Sequence, residues 1–447
     1  MTSNKVLGDK VNMIKAYDNN LDTSWAVNAA GDYTLDLDFL ENKEFNCIDF
    51  NEKSQGEYIY TNADGVSEPT GVQTYGITDY SVQISSDRTS WQTVYTQDEM
   101  GLRKAVLDNT YSARYMRLII TTDMPAAINE ITIRNISKYD KKMRVVSYLN
   151  KHEDITGYEE NIKALTDIIF INYGLWNSDG EFQFIETDSD NGTFTKSQLK
   201  SRIAEIKKIN PQINIWFCFS KFSLKENENK TELFTDSTNK QALVSTCLQL
   251  CKEYGFYGID FDFEFPSGTA QTSGYNNFLV DLGKTLHSNG YKLSVATSNY
   301  VDHKLSAPYI DYVNLMTYDG VKFDRFGRHN TYNAIVRQIN RMESNGFSRD
   351  QIVLGLGYYG RLNGGTAQMS YKSLARRYYD AVVSGKNVYD SGYYCAGASA
   401  NADKVILALD NNLCGVFSWT MVTDLPITNE FSLARSVDKT IERFSSK

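Results

Sequence analysis

The chain lacks any apolar run of about 18 residues, the length a membrane-spanning helix needs, so no segment is expected to cross a bilayer. Basic residues are in deficit. The net charge is −9, which disfavours nucleic acid as a partner because phosphate binding needs a basic footprint. There is no C-x-x-C and no His–Cys cluster, so Cys47, Cys218, Cys247, Cys251, Cys395 and Cys414 are expected to be free and mostly buried. Met1 to Lys10 carries no apolar core of a leader peptide; either the protein stays inside or a leader has been removed. At 447 residues, 41% hydrophobic and 23% charged, the remainder is an ordinary globular composition with chain enough for two domains.

One short run organises the rest: Gly258-Ile259-Asp260-Phe261-Asp262-Phe263-Glu264-Phe265-Pro266. Read at period two, Ile259, Phe261, Phe263 and Phe265 face one way, and Asp260, Asp262 and Glu264 the other. Same-face neighbours on a strand lie roughly 7 Å apart, so three carboxylates repel and at least one is expected to hold a proton at neutral pH. Acids backed by four large apolar side chains suggest catalysis. A metal site is the rival, although calcium and magnesium usually draw ligands from a loop. A solvated strand edge is the plainer alternative.

Residues Val6 to Asn135 read as all-β. Tyr33, Leu35, Leu37 and Phe39 alternate with polar residues, as do Tyr80, Val82 and Ile84, and a β-sandwich is expected. Ala16-Tyr17-Asp18-Asn19-Asn20-Leu21-Asp22-Thr23-Ser24-Trp25, with Ser85-Ser86-Asp87, Trp91, Ala113 to Leu118 and Asn129-Glu130-Ile131, resembles discoidin-type (coagulation factor 5/8 type C) domains. This galactose-binding-like group includes many carbohydrate-binding modules. The resemblance implies a structural calcium at Asp18, Thr23 and Glu130, a hard-oxygen set. The alternative is that Asp18 and Asp22 only cap a turn.

After a polar bridge at Ile136 to Lys142, apolar runs alternate with helix-period segments. Eight strand candidates follow: Arg144–Leu149, Ile168–Tyr173, Ile213–Phe219, Gly258–Glu264, Lys292–Thr297, Tyr312–Thr317, Ile352–Leu356 and Gly415–Trp419. Leu199/Ile203/Ile206, Leu243/Cys247/Leu250/Tyr254, Phe278/Leu282/Leu286 and Ile335/Ile339/Met342 mark helices, with N-caps near Thr195 and Asn239. The pattern predicts an α/β chain: a sandwich over 1–137, then a (β/α)8 TIM barrel over 138–447 whose active end lies at the strand C-termini. An open doubly wound sheet is the alternative, but no G-x-G-x-x-G follows the first strand.

The acidic run resembles the D-x-x-D-x-D-x-E signature of family 18 glycoside hydrolases, the chitinase family. Asn314 to Asp319 is similar to that family's sixth-strand Met-x-Tyr-Asp, Gly355 to Arg361 to its seventh-strand run, and Gly415 to Trp419 to its eighth. The resemblance implies a proton donor at Glu264, with a pKa raised by its like-charged neighbours. It implies electrostatic support from Asp262, proton exchange through Asp260 and acetamido positioning by Tyr318. It implies that Trp419 floors the sugar site, with Met316, Asp319, Tyr148, Tyr173 and Arg361 as candidates for lining it. The wealth of aromatics, 30 tyrosines among them, suits sugar faces, though most should be core. No cofactor is expected for catalysis.

Two departures stand out. The first Asp of the signature is Tyr257, and Cys218-Phe219-Ser220-Lys221 replaces the usual Ser-x-Gly-Gly, so the floor and the pH behaviour are expected to differ. Few residues separate Arg361 from Met369, so no inserted domain and an open cleft are expected. The activity implied is a chitinase-type β-N-acetylglucosaminide hydrolase acting on an N-acetylglucosamine-containing glycan, monomeric and outside the cell. An endo-β-N-acetylglucosaminidase of N-glycans and a non-hydrolytic chitin lectin are the alternatives.

Overall fold

The computed structural model describes residues 2–3, 14–53, 76–98, 100–177, 180–188, 192–222, 234–264, 266, 268–298, 301–318, 332–362, 367–390 and 392–446. The N-terminal part is an antiparallel sheet in the order Trp25–Val27, Ala126–Arg134, Gly31–Glu52, Leu102–Thr122, Asp79–Ser85 and Gln92–Gln97, with Thr2–Ser3 pairing beside Gly31–Glu52. The two long strands change register between Asp38 and Lys43 and between Phe45 and Cys47. Such bulges bend a strand. The two halves of each long strand pair with different neighbours, and the domain encloses Trp25, Leu35, Leu37, Ile48, Phe50, Tyr80, Val82 and Leu118. The alternation seen in the sequence is the alternation of burial here: Tyr33, Leu35 and Leu37 are inside, Thr34, Asp36 and Asp38 less so.

The rest is a closed barrel of eight parallel strands: Arg144–Asn150, Asp167–Ile171, Asn214–Phe219, Gly258–Phe261, Lys292–Thr297, Tyr312–Leu315, Ile352–Gly357 and Gly415–Trp419. The barrel expected from the sequence is thus present, and the alternative of an open sheet is excluded. Strands buried on both faces read as near-continuous apolar runs, and these do. One set of side chains fills the interior (Val146, Tyr148, Ile169, Ile171, Trp216, Cys218, Met316, Tyr318). The other set packs under the helices. Helix Lys196–Ile209 starts at Thr195 in a capping box with Gln198. Helix Ser237–Tyr254 is capped by Asp236, whose carboxylate accepts from the Asn239 N–H at 2.8 Å. Asn239, expected near the cap, is thus inside the first turn.

After the seventh strand the chain is not bare. Tyr359–Leu362, Gln368–Ser370, Val388–Asp390 and Tyr393–Cys395 form a four-stranded antiparallel sheet. It corrects the expectation of no insertion. The two parts of the molecule are locked together along helix Ala398–Asp410. Asp403, fully buried, accepts from Arg103 Nε at 2.8 Å, the Tyr95 hydroxyl at 2.6 Å and the Val106 N–H at 2.9 Å. Arg134 grips Asp410 through two nitrogens at 2.7 and 2.8 Å. All six cysteines are free and five are buried. Among the described residues, no helix is long and apolar enough to cross a membrane.

Candidate active site

The fourth strand ends at Phe261, earlier than expected, yet its alternation continues beyond it. Ile259, Phe261 and Phe263 join the packing under the helices. The acids take the other side, and exposure rises outward: Asp260 is fully buried, Asp262 half-buried and Glu264 exposed. The strand thus carries a row of carboxylates from the barrel interior to its rim.

Asp260 is held by neutral donors. Tyr148 donates its hydroxyl to one oxygen at 3.0 Å. Ser294 and Asn314 donate to the other, Asn314 at 3.1 Å. The Asn314 amide also donates to the Tyr148 hydroxyl at 3.1 Å. Burial pushes the Asp260 pKa up, against hydrogen bonds from Ser294, Cys218, Tyr148 and Asn314 that pull it down. Burial and the Asp260 and Asp262 charges push the Cys218 thiol well above its ordinary range, so it stays protonated and can donate. Ser294 escapes notice in the sequence, and Asn314 stands there only as the first residue of the sixth-strand run, with no role. The signal was there: each is a polar residue inside an apolar strand, and Cys218 and Ser294 lie directly across from Asp260 in the ladder.

Tyr148 also ties this centre to the eighth strand. Its ring lies 5.5 Å from Trp419 and 5.6 Å from Phe417. Trp419 is half-buried at that strand's end, Met316 is buried among the interior set, and Tyr318 packs edge-on to Phe417 at 5.8 Å and Tyr359 at 5.9 Å. Gly355 makes room for this: a Cβ there would lie 2.8 Å from the Tyr318 ring and 2.6 Å from the Leu315 carbonyl oxygen.

Tyr173 is elsewhere. Its ring stacks on Phe170 at 5.0 Å and meets Phe194 edge-on at 5.1 Å, in the layer under the helices rather than with the interior set. Arg361 is half-buried in the added sheet, opposite Tyr394. Asp319 lies outside the described residues.

In the N-terminal domain, Thr23 donates to the two Asp18 oxygens at 2.8 and 3.0 Å. Burial, more than the nearby Asp18 charge, raises the Glu130 pKa, and one Glu130 oxygen is buried with no hydrogen-bond partner. An orphaned acid oxygen beside Asp18 suits a hard cation in donor type. Among the described residues, however, no three His, Cys, Asp or Glu side chains cluster to hold one.

The family model for Glycosyl hydrolases family 18 matches residues 135–424, and that for the F5/8 type C domain matches residues 2–134. The chain is similar to probable chitinase 10 of Drosophila melanogaster, 23% identical over 218 residues, 42% of this chain and 9% of that protein. It is 25% identical over 142 residues to chitinase B of Serratia marcescens, 27% of this chain and 28% of that protein. The matches therefore span less than a third of either relative. In fold it is similar to the GH18 chitinase ChiB from the chitin utilization locus of Flavobacterium johnsoniae, with TM-score 0.55 and 20% identity over 67% of this chain and 94% of that one. With well over half of its length matched, the chain belongs to the family 18 glycosyl hydrolases and carries an F5/8 type C domain ahead of the barrel.

Proposed function

We propose that the protein is a retaining hydrolase of β-1,4-N-acetylglucosaminide bonds in chitin or chitooligosaccharides, using the substrate's own acetamido group as nucleophile. Most retaining glycosidases use a second carboxylate for that step, and family 18 is the exception. The observation that carries the reading is the acid row, which runs from a fully buried Asp260 to an exposed Glu264, together with the half-buried Trp419 that packs on the buried Tyr148. Trp419 floors the sugar. Glu264, the acid open to the cleft, protonates the glycosidic oxygen. The acetamido oxygen attacks the anomeric carbon, the leaving sugar departs with the proton, and an oxazolinium forms. Asp262 accepts from the acetamido N–H and balances its positive charge. Asp260 exchanges a proton with Asp262, and Tyr318 steadies the acetamido carbonyl. Glu264 then takes a proton from water, which opens the ring with retention.

The N-terminal domain, residues 1–137, binds glycan and presents it to the barrel, residues 138–447, from a fixed position. A structural calcium at Asp18, Thr23 and Glu130 would rigidify its first loop and takes no part in the reaction. Polymeric glycans lie outside cells, so the enzyme acts there, as a monomer. Chitooligosaccharides and an N-glycosylated protein offered side by side test the reading. Cleavage of the former with retained β-anomer is expected. Cleavage of the glycoprotein alone would make it an endo-β-N-acetylglucosaminidase, and cleavage of neither a lectin.

A further inference from the structure

The barrel seam, where the eighth strand meets the first, holds an acid that the mechanism does not use. Glu153 lies just past the first strand, and its two oxygens serve two different elements. Oε1 accepts from the Thr420 hydroxyl at 2.6 Å, and Oε2 accepts from the Asn150 N–H at 2.8 Å. Thr420 is the residue after Trp419. Asn150 ends the first strand, and its side chain accepts from the Asn172 amide at the end of the second. Arg202 holds the loop from behind, donating to the Glu153 carbonyl at 3.0 Å. Ser147 makes the same seam fast one layer deeper, accepting from Ser418 at 2.9 Å and from the Met421 N–H at 3.0 Å.

A carboxylate shared between two strand ends at a barrel mouth costs desolvation. Burial raises the Glu153 pKa against the hydrogen bonds from Thr420 and Asn150. An apolar residue would spare that cost but could not accept from both elements at once. Side chains that touch a reacting sugar keep productive geometry only when their own supports fix them.

Resting on the reading of Trp419 as the floor of the sugar site, we infer that Glu153 is a positioning residue. It clamps the Trp419–Thr420 segment to the end of the first strand and so fixes the angle at which the indole meets the sugar. It touches no reacting atom. Its loss should therefore loosen sugar binding more than it slows bond cleavage, because the proton donor and the acid row stand on a different strand.

The test is steady-state hydrolysis of chitotetraose by Glu153→Ala, Glu153→Gln, Thr420→Val and Trp419→Ala, with tryptophan fluorescence titrated by the same sugar. Glu153→Ala and Thr420→Val should raise KM roughly tenfold while kcat changes by less than about threefold, and should blunt the fluorescence response. Glu153→Gln should restore both, because its carbonyl can accept from Asn150 while its amide donates to the Thr420 hydroxyl. An unchanged KM in Glu153→Ala, with Trp419→Ala impaired, would overturn the positioning role and leave the sugar floor standing. An unchanged KM in Trp419→Ala would overturn the floor itself, and the clamp with it. A Glu153→Ala defect in kcat and thermal stability that Glu153→Gln does not repair would mean the acid merely holds the fold.

Discussion

Replacing Asp403 with alanine should unfasten the N-terminal domain from the barrel. Asp403 and Arg103 are 0% and 2% exposed, and the carboxylate also accepts from Tyr95 and the Val106 N–H. Burial pushes the Asp403 pKa up, and the Arg103 charge opposes it. Truncation removes the acid but leaves the guanidinium in the interface, a change that costs about 3–5 kcal/mol in buried pairs. That is a large share of a typical domain stability of about 5–15 kcal/mol. The Arg134–Asp410 pair nearby is partly solvated, at 25% and 16% exposure, and should matter less. Calorimetry reads the effect. The wild type should melt in one transition, and Asp403→Ala should split it, with the N-terminal part melting first. The pair of changes Arg103→Met and Asp403→Leu should recover most of the loss, since apolar groups of similar volume often replace a buried pair at little cost. A variant Asp403→Ala with a single unshifted transition and a loss under about 1 kcal/mol would refute the claim that this pair holds the domains together.

Three other outcomes are expected. Glu264→Gln should abolish hydrolysis of chitooligosaccharides while calorimetric binding persists, and Asp262→Asn should lower kcat by about 10²-fold or more; near-normal turnover in Glu264→Gln would end the proton-donor role. Asp424, buried at the start of helix Leu433–Phe444, has its pKa raised by burial to about 6 despite bonds from Ser432 and three backbone N–H groups. An acid raised in the fold stabilises below its unfolded pKa, and that contribution is lost as pH rises through about 6, here by about 2 kcal/mol between pH 4 and 7. Urea titrations should show the wild type losing stability relative to Asp424→Asn over that window, and a flat difference would count against it. EDTA should leave turnover intact and at most lower the melting temperature by loosening the N-terminal domain; loss of turnover would move the metal into the active site.

Much of this molecule can be read from hydrophobic period alone. The acid row, the eight strands and the alternation of Tyr33, Leu35 and Leu37 follow from side-chain parity along extended chain. Parity fails where the backbone turns. Tyr173 shares its parity with Ile169 and Ile171, which face the barrel interior. Between them and it, Asn172 takes a left-handed φ of 66°, which swings Tyr173 back under the helices. No periodic pattern anticipates that. The three-residue strands after Tyr359 are too short to show a period. Helix Ala398–Asp410 is buried from Ala400 to Leu409 although Asn401, Asp403 and Lys404 stand among its apolar residues, so its polar positions do not mark a solvent face. Its cover on one side is the N-terminal sheet, and only the fold reveals which arginine meets the acid.

The missing first acid of the signature reshapes the interior in a definite way. Tyr257 stands in its place, and its ring packs edge-on to Trp216 at 5.2 Å. Asp167, fully buried, stands at the opposite end of the barrel. It is bound by Arg144, by the Trp216 indole N–H at 2.8 Å and by Thr166 at 2.6 Å, and Arg144 lies 3.6 Å over the Tyr312 ring. That ion pair closes the barrel floor and leaves Asp167 no part in the acid row. Asp260 consequently meets hydroxyl, amide and thiol donors from Tyr148, Ser294, Asn314 and Cys218, and its neighbouring carboxylate along the row is Asp262. Neutral donors favour the ionised carboxylate but carry no proton away from it. We propose that a proton leaving Asp260 passes to Asp262, the next acid on the same face of the chain. Such a relay has two acids rather than three, a consequence written by a single tyrosine three residues before the buried aspartate.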